Sequence, residues 1–209
     1  MARPRDQQKR RDELVAAARD LAARKGMGGV RLRDVAEATG LTSGAVLYYF
    51  DGLDDLFFAA YERAVERFCV ERERVVEAVG DPACSLATAL HLGVPTGPDD
   101  VEIRLLYEFE AVAFRSQACA DMMAGYVARQ VDMYAGILIA GVAAGTFELS
   151  SDARRIARNL VALEDGHGVY VLTGQVLPEH VVGMLLDYAA AAVGVDVGSL
   201  VPDRLARVA

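Results

Sequence analysis

Between Asp34 and Phe50 the chain reads DVAEATGLTSGAVLYYF, and its chemistry is that of a reader of base edges rather than of a catalyst. Thr42, Ser43, Ala45, Tyr48 and Tyr49 offer small hydroxyls, one methyl and two phenols, a mixture suited to base contacts in a groove and to phosphate hydrogen bonds. Such groups work only if one short helix presents them. The pattern supplies two helices, Leu32 to Thr39 and Ser43 to Phe50, around a tight turn at Gly40, with Thr42 placed to cap the second. Ala36, four residues before that glycine, puts a small side chain where the helices cross, and Val35 and Val46 add apolar contact. The spacing predicts a helix-turn-helix whose second helix faces the DNA major groove. The plainer alternative is a helical hairpin buried in an all-α core.

Charge separates this head from the rest. The 209 residues carry 22 basic and 30 acidic side chains, a net of -8, which taken alone argues against a polyanionic partner. Residues 1 to 50, however, hold ten basic against six acidic side chains, a net of +4, and the remainder carries -12. A basic end on an acidic body fits a DNA-reading head, or else an ordinary solvated tail.

The elements that must hold this head are helical nearly throughout. Apolar spacing predicts a first helix from Asp12 to Lys25, ended at Gly26, and after the two short helices a long one from about Leu53 to Val79. Helices are expected further at about Ser85 to Leu92, Asp99 to Ser116, Ala118 to Ala144, Ser151 to Thr173 and Pro178 to Val193, with GVPTGP at Gly93 to Pro98 as a loop. The fold class is all-α: a three-helix N-terminal unit, residues 1–52 with a basic arm, joined by a long fourth helix to a helical sensing and dimerisation domain, residues 53–209.

Other chemistries find little support. Cys69, Cys84 and Cys119 are odd in number and form no CxxC pair, so neither disulfides nor a zinc site is expected, and a cytoplasmic setting is the simplest. Uncharged stretches such as Met133 to Phe147, with 15 residues, fall short of the roughly 20 that cross a bilayer. No phosphate loop, nucleophile elbow or HExxH occurs. No catalytic residue, metal or cofactor is expected, and a cytoplasmic all-α enzyme or a helical protein-interaction module remains as the alternative.

On LVAAARDLAARKG, VRLRDVAEATGLTSGAVLYYF and DGLDDLF the sequence resembles the tetracycline-repressor (TetR) family of bacterial transcriptional regulators over about residues 12 to 60. Arg33, Asp34, Val35, Ala36, Gly40, Gly44, Tyr48 and Phe50 match the family pattern. Ser43 stands where a lysine is common, Leu47 where an aromatic usually sits, and Leu53 where a phosphate-binding lysine is frequent. The resemblance implies a DNA interface formed by Arg31, Arg33, Thr42, Ser43, Gly44, Ala45, Leu47, Tyr48 and Tyr49. Phosphates would then fall to Arg31, Tyr49, the N-terminus of the fourth helix and the arm residues Arg3, Arg5, Lys9, Arg10 and Arg11.

The resemblance further implies a homodimer through the last two helices, a double-stranded palindromic operator with half-sites about 34 Å apart, and repression relieved by a small-molecule effector. Polar groups on apolar faces mark the expected pocket: Arg104, Tyr107, Glu108, Phe114, Tyr126, Glu164, His167 and Tyr170. Carboxylates among aromatic rings would favour a cationic effector. Alternatively, Glu108 pairs with Arg104 or Arg115 along its helix, and Glu164 and Asp165 face solvent or the dimer seam.

Overall fold

The computed structural model describes residues 4–114 and 116–200, with the side chains of Pro4, Arg5 and Ala111 left aside. Ten α-helices and one short 3-10 turn, and no strand, occur among the described residues. They are α1 (Pro4–Lys25), α2 (Leu32–Ala38), α3 (Ser43–Leu47), α4 (Leu53–Val79), α5 (Pro82–Gly93), α6 (Val101–Ala113), α7 (Gln117–Ala143), α8 (Ala153–Leu172), α9 (Pro178–Val193) and α10 (Val197–Leu200).

The bounds of α4 and α9 agree with the sequence pattern, while other ends differ for local reasons. Helix α1 begins at Pro4 rather than Asp12, so most of the expected arm is helical. Its polar first turns carry no apolar stripe and are invisible to a periodicity argument. Helix α5 begins earlier than expected because Asp81 caps it, accepting the Cys84 N–H at 2.8 Å, and Pro82 takes the first helical position. Helix α3 ends three residues early, at Leu47, in a turn that runs through Tyr48 and Tyr49.

The chain forms two compact units. The first comprises residues 1–67 and 101–123, and the second residues 68–100 and 124–209, so α4 and α7 each contribute to both. The first unit is centred on Leu14, Ala18, Val35, Val46 and Leu56, all 0% exposed. Tyr61 stacks on Phe109 within it, with centroids 4.2 Å apart. The second packs α5, α8 and α9 around Leu86, Leu90, Leu138, Leu160 and Leu185. Close-packed apolar side chains supply most of the drive for such units, at roughly 25 cal/mol per Å² removed from water. No helix among the described residues is long and apolar enough to cross a membrane.

Candidate nucleic-acid interface and sensor site

The two short helices depend on one another. Val35 and Val46 are fully buried and Ala36 is 3% exposed, so the inner faces of α2 and α3 close together through the small side chain foreseen for the crossing. Gly40 turns the chain with φ 66°, a left-handed conformation that costs a residue with a Cβ roughly 1–2 kcal/mol. The Leu41 N–H returns to the Ala36 carbonyl at 2.8 Å and closes the turn. Thr42 caps α3 by accepting the Ala45 N–H at 3.2 Å.

With Val46 turned inward, the other face of α3 is open. Tyr48 is 71% exposed and Leu47 50%, while Thr42 and Gly44 are exposed and Ser43, Ala45 and Tyr49 half-buried. The Tyr48 and Tyr49 rings meet edge to face, centroids 5.1 Å apart. Arg31 and Arg33 are both exposed around the start of α2. There the Arg31 N–H donates to Asp34 at 2.8 Å, and Lys25 lies 3.4 Å from the same carboxylate. These backbone and side-chain partners hold the Asp34 carboxyl below its ordinary value. Asp34 is thus held by partners of its own.

The expected arm residues divide. Arg3 lies outside the described residues, as does the side chain of Arg5. Lys9 is exposed; Arg10 pairs with Glu13 at 2.6 Å on its own helix. Arg11 turns inward, donating to the Tyr49 carbonyl with its guanidinium 4.1 Å from the Phe50 ring centroid. Of the fourth helix's first turn, Asp54 and Asp55 are exposed acids, and Asp55 already accepts the Asp51 N–H at 3.0 Å. That arrangement opposes the phosphate contact expected there, because two carboxylates repel an anion at close range.

The residues expected to line one effector pocket divide between the two units. Arg104, Tyr107, Glu108 and Phe114 belong to the first unit; Tyr126, Glu164, His167 and Tyr170 belong to the second. Glu108 accepts the Met27 N–H at 2.7 Å, fixing the 3-10 turn at Met27–Gly29, a partner that helix spacing could not reveal. Phe114 is 89% exposed and Tyr170 45%. Along α8 Glu164 is buried, His167 half-buried and Tyr170 exposed, the His167 and Tyr170 rings 6.3 Å apart. Arg115 lies outside the described residues.

Glu164 neither faces solvent nor stands ready for a cation. It is 3% exposed, and its Oε1 accepts from Arg72 Nη2 at 2.6 Å and from the Tyr134 hydroxyl. Arg72, 2% exposed, also donates to Gln130 at 2.5 Å, to the Ala89 carbonyl at 2.6 Å and to Tyr134 at 2.6 Å. Gln130 in turn donates to the Tyr126 hydroxyl at 3.0 Å. Burial opposes the charge on Arg72, yet Glu164 and Tyr134 hold its pKa above the ordinary value. Burial pushes the Glu164 carboxyl up, against the pull of Arg72. A side chain on Gly93, at the end of α5, would overlap the Glu164 carboxylate and the Arg72 guanidinium. Sequence reasoning missed Arg72: the apolar stripe of α4 gives no reason to single out one arginine of ERERVVEAV.

An open cavity of about 650 Å³ lies elsewhere in the second unit, between α4, α5 and α7. Val76, Met133 and Ile137 form its apolar floor; Glu73, Glu77, Asp132 and Arg129 supply the charge. Arg129 is engaged by Glu73 at 2.6 Å and Asp132 by the exposed Arg154 at 2.7 Å, so among the described residues the lining charge without an ion pair is the carboxylate of Glu77. The cavity falls within the roughly 300–1,000 Å³ range of small-molecule sites. Among the described residues no cluster of three or more His, Cys, Asp or Glu has a metal-binding arrangement.

Comparison with known proteins meets this geometry at the front of the chain. Residues 14–60 match the family model of bacterial regulatory proteins, tetR family. The HTH-type transcriptional repressor KstR2 of Rhodococcus jostii (strain RHA1) is 26% identical over 163 residues, covering 72% of this chain and 74% of its own. A TetR-family transcriptional regulator from Rhodococcus sp. superposes with a TM-score of 0.73 at 26% identity, covering 89% of this chain and 99% of its own. A transcriptional regulator from Saccharomonospora viridis, solved in complex with choline, has a TM-score of 0.82 at 24% identity over 89% of this chain and 98% of its own.

Proposed function

We propose that this chain, which belongs to the TetR family of bacterial transcriptional regulators and not to a family of enzymes, is a repressor that binds a palindromic operator as a homodimer and leaves it when an effector binds. One observation carries the DNA-reading part: α3 buries Val46 completely, while Tyr48, the first residue beyond the helix, is 71% exposed. A segment that served only a core would not leave a tyrosine so bare, and Arg31 and Arg33 are exposed as well. Residues 1–52 read the operator, through Arg31, Arg33, Thr42, Ser43, Gly44, Ala45, Leu47, Tyr48 and Tyr49, and residues 53–209 sense and dimerise.

Dimerisation is assigned to α8 and α9. Val169, Tyr170 and Met184 are 41%, 45% and 43% exposed on these helices, and apolar surface of that kind marks a protein interface. Two α3 helices then meet half-sites about 34 Å apart, one turn of duplex. The effector is assigned to the cavity between α4, α5 and α7. Its lining holds more carboxylates than cations, which favours an organic cation, and choline, the small molecule in the S. viridis complex, is the first probe. This reading also assigns the chain to the cytoplasm, where a DNA-binding regulator meets its operator.

Effector binding lowers operator affinity only if the ligand prefers one of two arrangements of α4, and such coupling is typically about 1–3 kcal/mol. Selecting bound duplexes from genomic fragments tests the whole reading. Recovery of one palindromic site whose retardation weakens with salt supports it, and failure to enrich any duplex rejects it. Titration of that complex with choline tests the cation assignment, and Glu77→Gln is expected to weaken any response.

A further inference from the structure

Arg11 is engaged within the protein. It projects from α1 into the end of α3, donates an Nη1 hydrogen bond to the Tyr49 carbonyl and lies 4.1 Å over the Phe50 ring. Phe50 is 2% exposed, so the guanidinium covers a ring that is itself part of the core of the first unit. One turn earlier on α1, Gln7 donates to the Tyr48 hydroxyl at 3.3 Å. Helix α1 therefore holds both residues that follow the recognition helix.

Helix α3 needs such support. It has five residues, Ser43–Leu47, and helices this short are unstable alone because nucleation consumes what a few hydrogen bonds return. Its N-terminal end is fixed by Thr42 and its inner side by Val46. Beyond Leu47 the backbone leaves the helix through Tyr48 and Tyr49, with the Tyr49 and Phe50 N–H groups returning to the Val46 carbonyl at 2.9 and 3.2 Å. A cation at a helix C-terminal end satisfies carbonyls and suits the helix dipole. The planar guanidinium does this while stacking on Phe50, two tasks that set its plane and its reach.

We infer that Arg11 is a positioning residue for DNA reading, which fixes the exit of the recognition helix and with it the Tyr48 and Tyr49 rings, and that it binds no phosphate. The inference rests on the DNA-reading assignment above for its functional consequence, and on the free protein for its structural one.

The experiment has two arms on the full chain. In the first, without DNA, amide hydrogen exchange is followed in the wild type and in Arg11→Ala. Exchange at Leu47 to Phe50 is expected to quicken about tenfold, the loss of one net hydrogen bond, while α2 stays unchanged; unaltered exchange at these amides overturns the proposal. In the second, affinities for the selected operator and for a scrambled duplex are measured across a salt series. A positioning role predicts a fall of about tenfold or more in the operator-to-scrambled ratio with the salt slope unchanged, whereas loss of a phosphate contact reduces the slope by about 0.9 and leaves the ratio unchanged. The second pattern, or no change in either quantity, overturns the proposal. Should Arg11→Ala fail to fold, Arg11→Lys carries both arms, since it keeps the charge and loses the planar group. Altered exchange in a protein that enriches no duplex would leave Arg11 holding α3 and reject the repressor reading alone.

Discussion

Arg72 and Glu164 stand 92 positions apart in the sequence and meet at 2.6 Å in the interior of the second unit, 2% and 3% exposed. The pair ties α4 to α8, and the further bonds of Arg72 to Ala89, Gln130 and Tyr134 bring in α5 and α7. Removing one partner strands the other charge in a dry core, so Glu164→Gln or Arg72→Met is expected to cost about 3–5 kcal/mol in urea unfolding. Replacing both, with Met and Leu, is expected to cost less than either single change. A double variant that costs the sum of the two single changes would show that the charges contribute no coupling.

The same pair sets the tolerance of one glycine against another. Gly93→Ala would place a Cβ against the Glu164 carboxylate and is expected to cost at least about 1–3 kcal/mol. Gly136 lies within α7 with nothing within 4 Å of its missing Cβ, so Gly136→Ala is expected to stabilise by about 0.5–1 kcal/mol. Thermal unfolding of the two variants checks the opposite signs.

Tyr48→Ala and Arg33→Ala touch exposed groups of the candidate interface and are expected to abolish operator retardation while changing stability by less than about 0.5 kcal/mol. Val46→Ala, by contrast, opens the buried seam between α2 and α3 and should lower stability and binding together. Retained retardation in both surface variants would remove α3 from the reading role.

Introducing a charge on the outer face of the last helices tests the dimer. Val169→Asp and Met184→Asp replace side chains that are 41% and 43% exposed, so a monomeric fold has no reason to reject them. Sedimentation should show a shift from dimer to monomer with the helical content kept. An unchanged dimer would place the interface elsewhere.

Acid should weaken the fold through two backbone-capping carboxylates. Asp81 accepts the Cys84 N–H at the start of α5, and Asp34 the Arg31 N–H at α2; both have pKa values held below ordinary by these bonds. Such groups release protons more readily in the folded chain than in the unfolded one. Their contribution is therefore present above the unfolded carboxylate value, near about 4, and is lost as pH falls through the lower folded value. Asp81→Asn, which keeps a capping oxygen, is expected to flatten the acid limb of stability against pH below about pH 4. An acid limb identical to that of the wild type would show that Asp81 contributes nothing to it.

The sequence by itself determined the head of this protein. Val35, Ala36, Gly40, Thr42 and Val46 act on neighbours close along the chain, so turn chemistry, capping and apolar spacing sufficed to place two helices and their open face. The long α4 and the proline-led α9 were legible for the same local reason. The tertiary structure alone decided which charges are available. By residue type Arg11 is a free arm cation, yet it lies on the Tyr49 carbonyl; Glu164 is by type a pocket carboxylate, yet Arg72 lies against it. Glu108 likewise reaches back 81 positions to the Met27 N–H. A charged side chain's role depends on its partner and on the water around it, and neither is fixed by residue type or helical period, because both arise only when distant segments pack.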